Sequence, residues 1–194
     1  MKVIKNAFIV TLDPDRRIIR NGHIWMDGNQ ITKIGPATEV GLPNQPYEAF
    51  DATEMIAIPG FVSAHNHLYS AVVRSLPYGG PEEETDATFI SWIERFWFKY
   101  LEDRVDEEHL YIGTLVNCID QMRSGITTSA DTVEGSFALP GALDAAGRGM
   151  EDSGMRGLIG YEVTGRLGDD IAQKGLEDNI RFYDKTHAPG YHGR

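Results

Sequence analysis

Residues 59–67 read PGFVSAHNH, and this stretch decides the fold that the sequence predicts. The apolar run 55–64 contains its first part and is typical of a strand buried on both faces, as in a parallel sheet. His65 and His67 follow at positions i and i+2, so on a strand their imidazoles point to the same face. Two neutral imidazoles at the carboxyl end of a buried strand make half of a metal site. The alternative is two satisfied polar side chains at the end of a structural strand.

Downstream of the histidine pair, helical and strand patterns alternate. After the strand at 55–64, further strands are predicted at 126–130 and 158–163. Helices are predicted at about 85–101, 106–124, 140–154 and 170–185, with Thr85 or Asp86, Asp106 and Pro140 at their starts and Gly125 and Gly154 at their ends. This alternation predicts parallel strands joined by right-handed helical crossovers, which is an α/β fold.

Two features of the segment after the first strand have ordinary structural interpretations. Large apolar side chains recur at positions 89, 92, 93, 96, 97 and 100, the spacing of one buried helix face. We expect this stripe to face the core or an interface, and the alternative is a pocket wall. The acidic run 82–84 lies among Gly and Pro and predicts a solvated loop.

Upstream of the pair, the first 55 residues or so predict a small β domain. Short strands are predicted at 7–11, 22–26 and 30–34, and the last two flank Asp27-Gly28-Asn29, whose Asp-Gly pair favours a hairpin turn. The segment 35–46 is rich in Gly and Pro and predicts a loop.

Composition excludes several classes of protein. The 194 residues include 18 Lys and Arg against 29 Asp and Glu, a net charge of −11, which argues against binding to nucleic acid or anionic membranes. Hydrophobic residues make up 41%, so a disordered chain is excluded. One cysteine excludes an internal disulfide framework and a CxxC metal site. No signal peptide or membrane-spanning segment is visible, which predicts a cytoplasmic protein.

The histidine motif, preceded by a small β domain, resembles the amidohydrolase superfamily. In that superfamily, Pro-Gly-Phe-Val-x-x-His-x-His ends the first strand of a metal-dependent (β/α)8 barrel. The run 65–71, HNHLYSA, with Arg74 further on, resembles the chlorohydrolase and cytosine-deaminase-like branch. The segments 124–128 (SGITT), 161–164 (YEVT) and 177–182 (EDNIRF) are most similar to SsnA-type aminohydrolases.

The resemblance implies a fold, a cofactor and a reaction. Residues 1–57 would be part of a small β-sandwich, and residues 58–194 would be the first three βα units of an incomplete TIM barrel. His65 and His67 would bind a divalent metal, zinc in the first place and iron as an alternative. Water activated by the metal would attack a ring carbon of a small heterocyclic substrate such as a purine, pyrimidine or triazine. Ammonia would leave in a deaminase and halide in a chlorohydrolase.

The family pattern also requires groups that this chain lacks. Two more histidines, an aspartate ligand and a proton-shuttle glutamate follow on later strands, and a complete barrel needs ~250 residues. His187 and His192 lie in a loop-like tail and are not carried over as ligands. The sequence therefore also fits a catalytically incomplete fragment or a subunit whose barrel is completed by a second chain. A complete enzyme of this type is expected to be a homo-oligomer.

Four further residues are candidates for substrate binding, each with a structural alternative. Asp131 follows the second barrel strand and either contacts substrate or caps the next segment. Glu162, near the end of the third strand, either enters the barrel mouth or points outward. Arg74 either pairs with an anionic substrate group or forms a structural ion pair, and Tyr69 is a weaker candidate of the same kind.

Overall fold

The computed structural model describes residues 1–76 and 88–191. The chain divides into two compact units, Met1–Pro59 and Gly60–Arg194. The predicted capping residues Thr85 and Asp86, the acidic run 82–84 and His192 lie outside the described residues. In the described ranges, no helix is both long enough and apolar enough to cross a membrane.

The first unit is a mixed β-sheet. Its strands, all within residues that the structure describes, are β1 (Lys2–Val10), β2 (Ile18–Asp27), β3 (Gln30–Pro36), β4 (Glu48–Asp51) and β5 (Ile56–Ala57). The order is β3-β2-β1-β4, and β5 also pairs with β1. β1, β2 and β3 are antiparallel neighbours, whereas β4 and β5 run parallel to β1. Its buried core consists of Ala7, Ile9, Ile19, Ile24 and Ala52.

The predicted hairpin is confirmed. Asp27 pairs with Gln30 across the turn between β2 and β3. Gly28 has a φ of 57°, a conformation that glycine adopts without the steric cost of a side chain. Both strands extend beyond the predicted 22–26 and 30–34, because backbone pairing continues where the apolar alternation stops.

The second unit contains a parallel sheet of three described strands, as the alternating pattern predicts. These are β6 (Phe61–Ser63), β7 (Ile126–Val133) and β8 (Arg156–Tyr161), in the order β6-β7-β8. The prediction of one strand over 55–64 is wrong. Pro59-Gly60 divides the run, so that β5 joins the first sheet and β6 the second. Proline supplies no backbone N–H for a ladder, which explains the break.

The two faces of the parallel sheet differ in burial. Ser129, Asp131 and Val133 of β7 are buried on the face that packs against helices. On the opposite face, Val62 is 67% exposed and Leu158 is 76% exposed. The expectation that β6 is buried on both faces is therefore wrong for the described residues, and this second face presents apolar side chains to solvent.

Helices follow the strands in the predicted order. They are α1 (Phe89–Trp92), which continues as a π-helix (Ile93–Glu102), then α2 (Glu107–Arg123), α3 (Ala142–Ser153) and α4 (Asp169–His187), with short 3₁₀ helices at Leu68–Val73 and Ser136–Ala138. The Asp106 side chain accepts the His109 N–H and caps α2, as predicted. Gly154 ends α3 in the left-handed conformation, as predicted.

The predicted start of α3 at Pro140 is wrong, and the N-terminal cap of this helix comes from a side chain of α4. Gly141 is the N-cap residue and the helix begins at Ala142. The buried Asp178 carboxylate of α4 accepts the backbone N–H groups of Gly141 at 3.1 Å and Leu143 at 3.0 Å. A carboxylate from another helix therefore satisfies N–H groups that have no partner within α3.

The predicted buried aromatic face over 89–100 is only partly present. Phe89 is 71% exposed and Tyr100 is 47% exposed, while Trp97 packs against the core that contains Tyr69 and Leu101. The π-helical winding of Ile93–Glu102 accounts for the exposure of Tyr100, because i→i+5 bonding rotates side chains away from the 3.6-residue stripe. Phe89 lies in the α-helical turn before it.

Candidate functional site

His65 and His67 lie directly after β6, at the carboxyl end of the strand. Their ring centroids are 5.1 Å apart and the ring planes are at 86° to each other. Two imidazoles that share one tetrahedral ion have centroids about 5 Å apart, because Zn–N bonds are about 2.0–2.1 Å. The two side chains therefore fit as neighbouring ligands of one metal ion.

The ring of His67 is held by the end of β7. Its Nδ1 lies 3.2 Å from the backbone carbonyl oxygen of Thr132, with the Thr132 hydroxyl at 3.4 Å and the Tyr69 hydroxyl at 3.5 Å. A carbonyl oxygen can only accept, so Nδ1 carries the proton in this contact. The lone pair of neutral His67 is then on Nε2, the nitrogen available to a metal.

The described residues bring together two candidate metal ligands and no third. Across residues 1–76 and 88–191, no group of three or more His, Cys, Asp or Glu side chains could hold a metal ion together. A structural zinc site has four protein ligands and a catalytic one has three. Two histidines alone would therefore be an incomplete site of either kind.

Trp97 and Tyr69 form an aromatic wall beside His67. Trp97 of the π-helix lies edge-on to His67, with ring centroids 5.6 Å apart, and Tyr69 lies edge-on at 5.9 Å. Tyr69 is fully buried, and this burial, together with nearby carboxylates of which Glu102 is the largest contributor, raises the pKa of its hydroxyl. Tyr69 thus keeps its proton at neutral pH, within the core rather than at an open surface.

A buried group of carboxylates adjoins this wall. Glu102 and Glu134 are buried, and the Trp97 indole N–H donates to Glu102. Burial and the hydrogen bond with Glu102 raise the pKa of Glu134 to about 9, so Glu134 is protonated at neutral pH. The Arg166 guanidinium lies 2.8 Å from Asp103, 3.4 Å from Glu102 and 3.9 Å from Glu134, so one cation is shared among three carboxyl groups.

The sequence offered a pocket wall only as the alternative for the stripe that contains Trp97, and it did not single out Glu102, Glu134 or Arg166. Glu102 stands at the end of a helix, where the helix dipole disfavours an anion, and this mismatch was a usable signal. Glu134 directly follows β7, which runs three residues beyond the predicted end at Ala130. Buried side chains alternate along the strand at Ser129, Asp131 and Val133. Extending the strand by this alternation would have placed Glu134 at its carboxyl end.

Asp131 lies on the buried side of β7. Its side chain is on the helix-facing side of the strand and is 4% exposed. Oδ1 accepts the Leu68 N–H at 2.7 Å, while Oδ2 has no hydrogen-bond partner among the residues that the structure describes. Burial raises the pKa of this carboxyl to about 7, against the lowering effect of the Leu68 bond. The contact that the carboxyl makes is thus with the segment after His67.

The remaining two candidates have different surroundings. Glu162 follows β8 with an exposed side chain, and its backbone N–H donates to the Val133 carbonyl at 2.8 Å. Its charge contributes to the raised pKa of Glu134, so it belongs to the same acidic region. Arg74 forms an exposed ion pair with Asp120 of α2 at 2.5 Å, which is the structural alternative for this residue.

The chain matches the model of the amidohydrolase family over residues 56–187. It is 29% identical to the 5-methylthioadenosine/S-adenosylhomocysteine deaminase of Pelotomaculum thermopropionicum, over 93% of this chain and 38% of that protein. It is 26% identical to the 5'-deoxyadenosine deaminase of Methanosarcina mazei, over 93% of this chain and 37% of that protein. The chain thus spans less than two fifths of the length of these curated relatives.

A solved structure shares the fold. Atrazine chlorohydrolase TrzN from Arthrobacter aurescens TC1, in complex with zinc, superposes with a TM-score of 0.72 at 21% sequence identity. The superposition covers 97% of this chain and 44% of that protein.

Proposed function

We propose, since the chain belongs to the amidohydrolase family, that His65 and His67 bind the divalent metal ion of a hydrolase. The reaction is the hydrolytic removal of an amino group from a nitrogen heterocycle. The observation that carries the proposal is the pair of imidazoles 5.1 Å apart, one of them with its Nδ1 proton held by a carbonyl. When bound, the ion supplies Lewis-acid activation of water at neutral pH. Zinc is the proposed ion, with iron as the alternative.

The proposed substrate class is a purine carried on an adenosine derivative. The names of the relatives from Pelotomaculum thermopropionicum and Methanosarcina mazei support this choice. The partly buried Trp97 ring beside His67 supports a flat substrate, because aromatic faces and edges pack well against planar rings. The fully buried Tyr69 packs behind Trp97 in the core. A pyrimidine or triazine ring would meet the same wall.

Some residues of this chain would bind the metal ion, and others would position the substrate. His67 presents Nε2 to the ion while the Thr132 carbonyl fixes its orientation. Trp97 and Tyr69 exclude water from one side of the site, and Glu102 offers a buried acceptor beside them. Glu162 is proposed as a substrate contact at the outer edge of the acidic region, whereas the ion pair with Asp120 favours a structural role for Arg74.

The remaining ligands and the proton-shuttle group are proposed to come from outside this chain. Residues 1–57 would then be part of a small β-sandwich, and residues 58–194 the first βα units of a TIM barrel. The exposed apolar face around Val62 and Leu158 supports this, because parallel sheets are normally covered on both faces. The rest of a longer chain, a second chain or another protomer would complete the barrel. A cytoplasmic location remains a prediction.

Native mass spectrometry combined with metal analysis tests whether this site is incomplete. Material purified from its source should contain zinc in an assembly or polypeptide heavier than 21.6 kDa, the mass of this chain. A 21.6 kDa monomer that holds zinc tightly would contradict the proposal that the site needs ligands from elsewhere.

Assays of ammonia and chloride release on the same material distinguish deamination from dechlorination. Incubation with 5-methylthioadenosine should release ammonia, and incubation with a chlorotriazine should release little chloride. Chloride release without ammonia release would favour the chlorohydrolase alternative. Release of neither, from a zinc-loaded preparation, would contradict both.

A further inference from the structure

The end of β7 holds the segment 66–68 on both sides of His67. The Thr132 N–H donates to the Asn66 carbonyl at 3.0 Å, and the Thr132 hydroxyl donates to the same oxygen at 3.2 Å. On the other side, Asp131 accepts the Leu68 N–H at 2.7 Å. Hydrogen bonds from β7 therefore fix the backbone on both sides of His67, whose ring also contacts Thr132.

The bond from Asp131 replaces a cap that His67 cannot provide. His67 is the N-cap residue of the 3₁₀ helix Leu68–Val73 and makes no side-chain capping bond. An N-cap side chain normally accepts one of the free N–H groups of the first turn. The imidazole of His67 is turned instead towards Thr132, so the first N–H of the helix needs an acceptor from elsewhere.

The surroundings of Asp131 argue against a role in stability alone. The carboxyl is 4% exposed, and its Oδ2 has no partner within the described residues. Burying an unpaired carboxyl oxygen is unfavourable, so a fold selected only for stability gains little from this side chain. What the residue provides is one short hydrogen bond to the residue that follows a metal ligand.

We propose that Asp131 is a positioning residue, which fixes the backbone at His67 so that the ring is directed to the metal and to the Thr132 carbonyl. The inference rests on the proposed function, in which His67 binds the ion. It assigns Asp131 neither to metal coordination nor to substrate binding. Partners of this kind, one step removed from the ion, typically change metal affinity by about 10- to 100-fold.

Two substitutions and a matched control separate positioning from packing. Asp131→Ala removes the acceptor, whereas Asp131→Asn keeps an oxygen that can accept the Leu68 N–H. Ser129→Ala is the control, because Ser129 lies two residues earlier on the same strand and face, is fully buried and has an unpaired hydroxyl. Circular dichroism and melting curves establish that each variant of the 194-residue chain is folded.

The readout is NMR of ¹⁵N-labelled histidine side chains, first without metal and then during a titration with Zn²⁺. We expect Asp131→Ala to lose the protonated Nδ1 signature of His67 and to weaken Zn²⁺ binding by about 10- to 100-fold. Asp131→Asn and Ser129→Ala should keep both within about threefold of the parent chain.

Three results would overturn the inference. They are an unchanged His67 signature in a folded Asp131→Ala variant, an equal loss in Ser129→Ala, and a loss in Asp131→Asn as large as in Asp131→Ala. Two protein ligands bind Zn²⁺ more weakly than a complete site, so the titration is carried to a large excess of Zn²⁺. If that excess still leaves the His65 and His67 resonances of the parent chain unchanged, the proposed function fails. The metal-free signature of His67 then still decides whether Asp131 positions the ring.

Discussion

His67 donates its Nδ1 proton to the backbone carbonyl of Thr132 over 3.2 Å. This bond joins the segment after β6 to the end of β7, so the neighbouring strand sets the direction of the ring. A carbonyl acceptor leaves Nε2 of the neutral imidazole free for a metal. The orientation of the proposed ligand thus depends on the end of β7, through the Thr132 carbonyl and the hydrogen bond between Asp131 and the next residue, Leu68.

Thr132→Val tests whether the carbonyl or the hydroxyl of Thr132 orients the ring. The substitution removes the hydroxyl that donates to Asn66, at a cost of about 1 kcal/mol in the free energy of unfolding. The carbonyl remains, so we expect Zn²⁺ affinity to stay within about threefold by isothermal titration calorimetry. A loss beyond about tenfold would assign the orientation to the hydroxyl.

Gly113→Ala tests the packing of α2 against the segment after His67. A Cβ at this position would lie 2.6 Å from the Tyr69 carbonyl oxygen and 2.9 Å from its Cα, which are backbone atoms. Alanine in a helix is normally more favourable than glycine by about 1 kcal/mol, yet here we expect destabilisation by about 1–3 kcal/mol in urea unfolding.

Gly147→Ala is the control for that experiment. Its new Cβ would meet the side-chain ring of Phe182 at 3.1 Å, and a ring edge can move. We expect a change within about 1 kcal/mol. Equal stability effects at Gly113 and Gly147 would contradict the close backbone contact.

Asp178→Ala tests the cap that α4 provides to α3. The carboxylate accepts the N–H groups of Gly141 and Leu143 and also pairs with Arg181 at 2.5 Å. We expect a loss of about 2–3 kcal/mol in the free energy of unfolding. Asp178→Asn keeps one acceptor oxygen and should lose about half as much. A loss below about 0.5 kcal/mol for Asp178→Ala would contradict the capping role.

The pH dependence of stability should report the burial of Asp131. Its pKa is about 7 in the folded chain against 3.8 for the ordinary group. Between about pH 4 and pH 7 the unfolded chain has lost this proton and the folded chain retains it, so stability falls with rising pH, by on the order of 4 kcal/mol. Below pH 4 and above pH 7 this group adds no further change.

Asp131→Asn removes that titration. We expect urea unfolding of Asp131→Asn and the parent chain to give similar free energies near pH 4 and a more stable variant near pH 8. Glu134, whose pKa is raised to about 9, acts in the same direction in both proteins and cancels in the difference. A difference between the two proteins that does not change with pH would contradict the raised pKa.

Much of the fold follows from local patterns. The Asp-Gly hairpin, the Asp106 cap, the Gly154 terminus and the parallel order of the second sheet were all predictable, because turns, caps and periodicity act over a few residues. The start of α3 was not, because its cap is supplied by Asp178 from 35 residues beyond Leu143. The π-helix was missed for a related reason, since its winding does not follow the 3.6-residue pattern.

The candidate site, like the fold, was predictable only where local sequence patterns determine it. His65 and His67 could be proposed from the sequence because a short motif places both residues at the end of one strand. Trp97 and Glu102 belong to one π-helix, five residues apart, a spacing that the 3.6-residue pattern does not predict. Glu134 and Arg166 come from other segments that the fold brings beside them. The orientation of Asp131 depends on strand register, because a shift of one residue moves a side chain to the other face.

Zinc binding by single histidine variants tests the central claim most directly. The 194-residue chain, its His65→Ala and His67→Ala variants and the control His109→Ala are titrated with Zn²⁺ by calorimetry. His109 is exposed in the first turn of α2 and pairs with Asp106, away from the β6 segment. We predict a loss of about tenfold or more in Zn²⁺ affinity for each of the first two variants and an unchanged affinity for the control. Equal affinity in all four proteins would contradict the assignment of His65 and His67 as metal ligands.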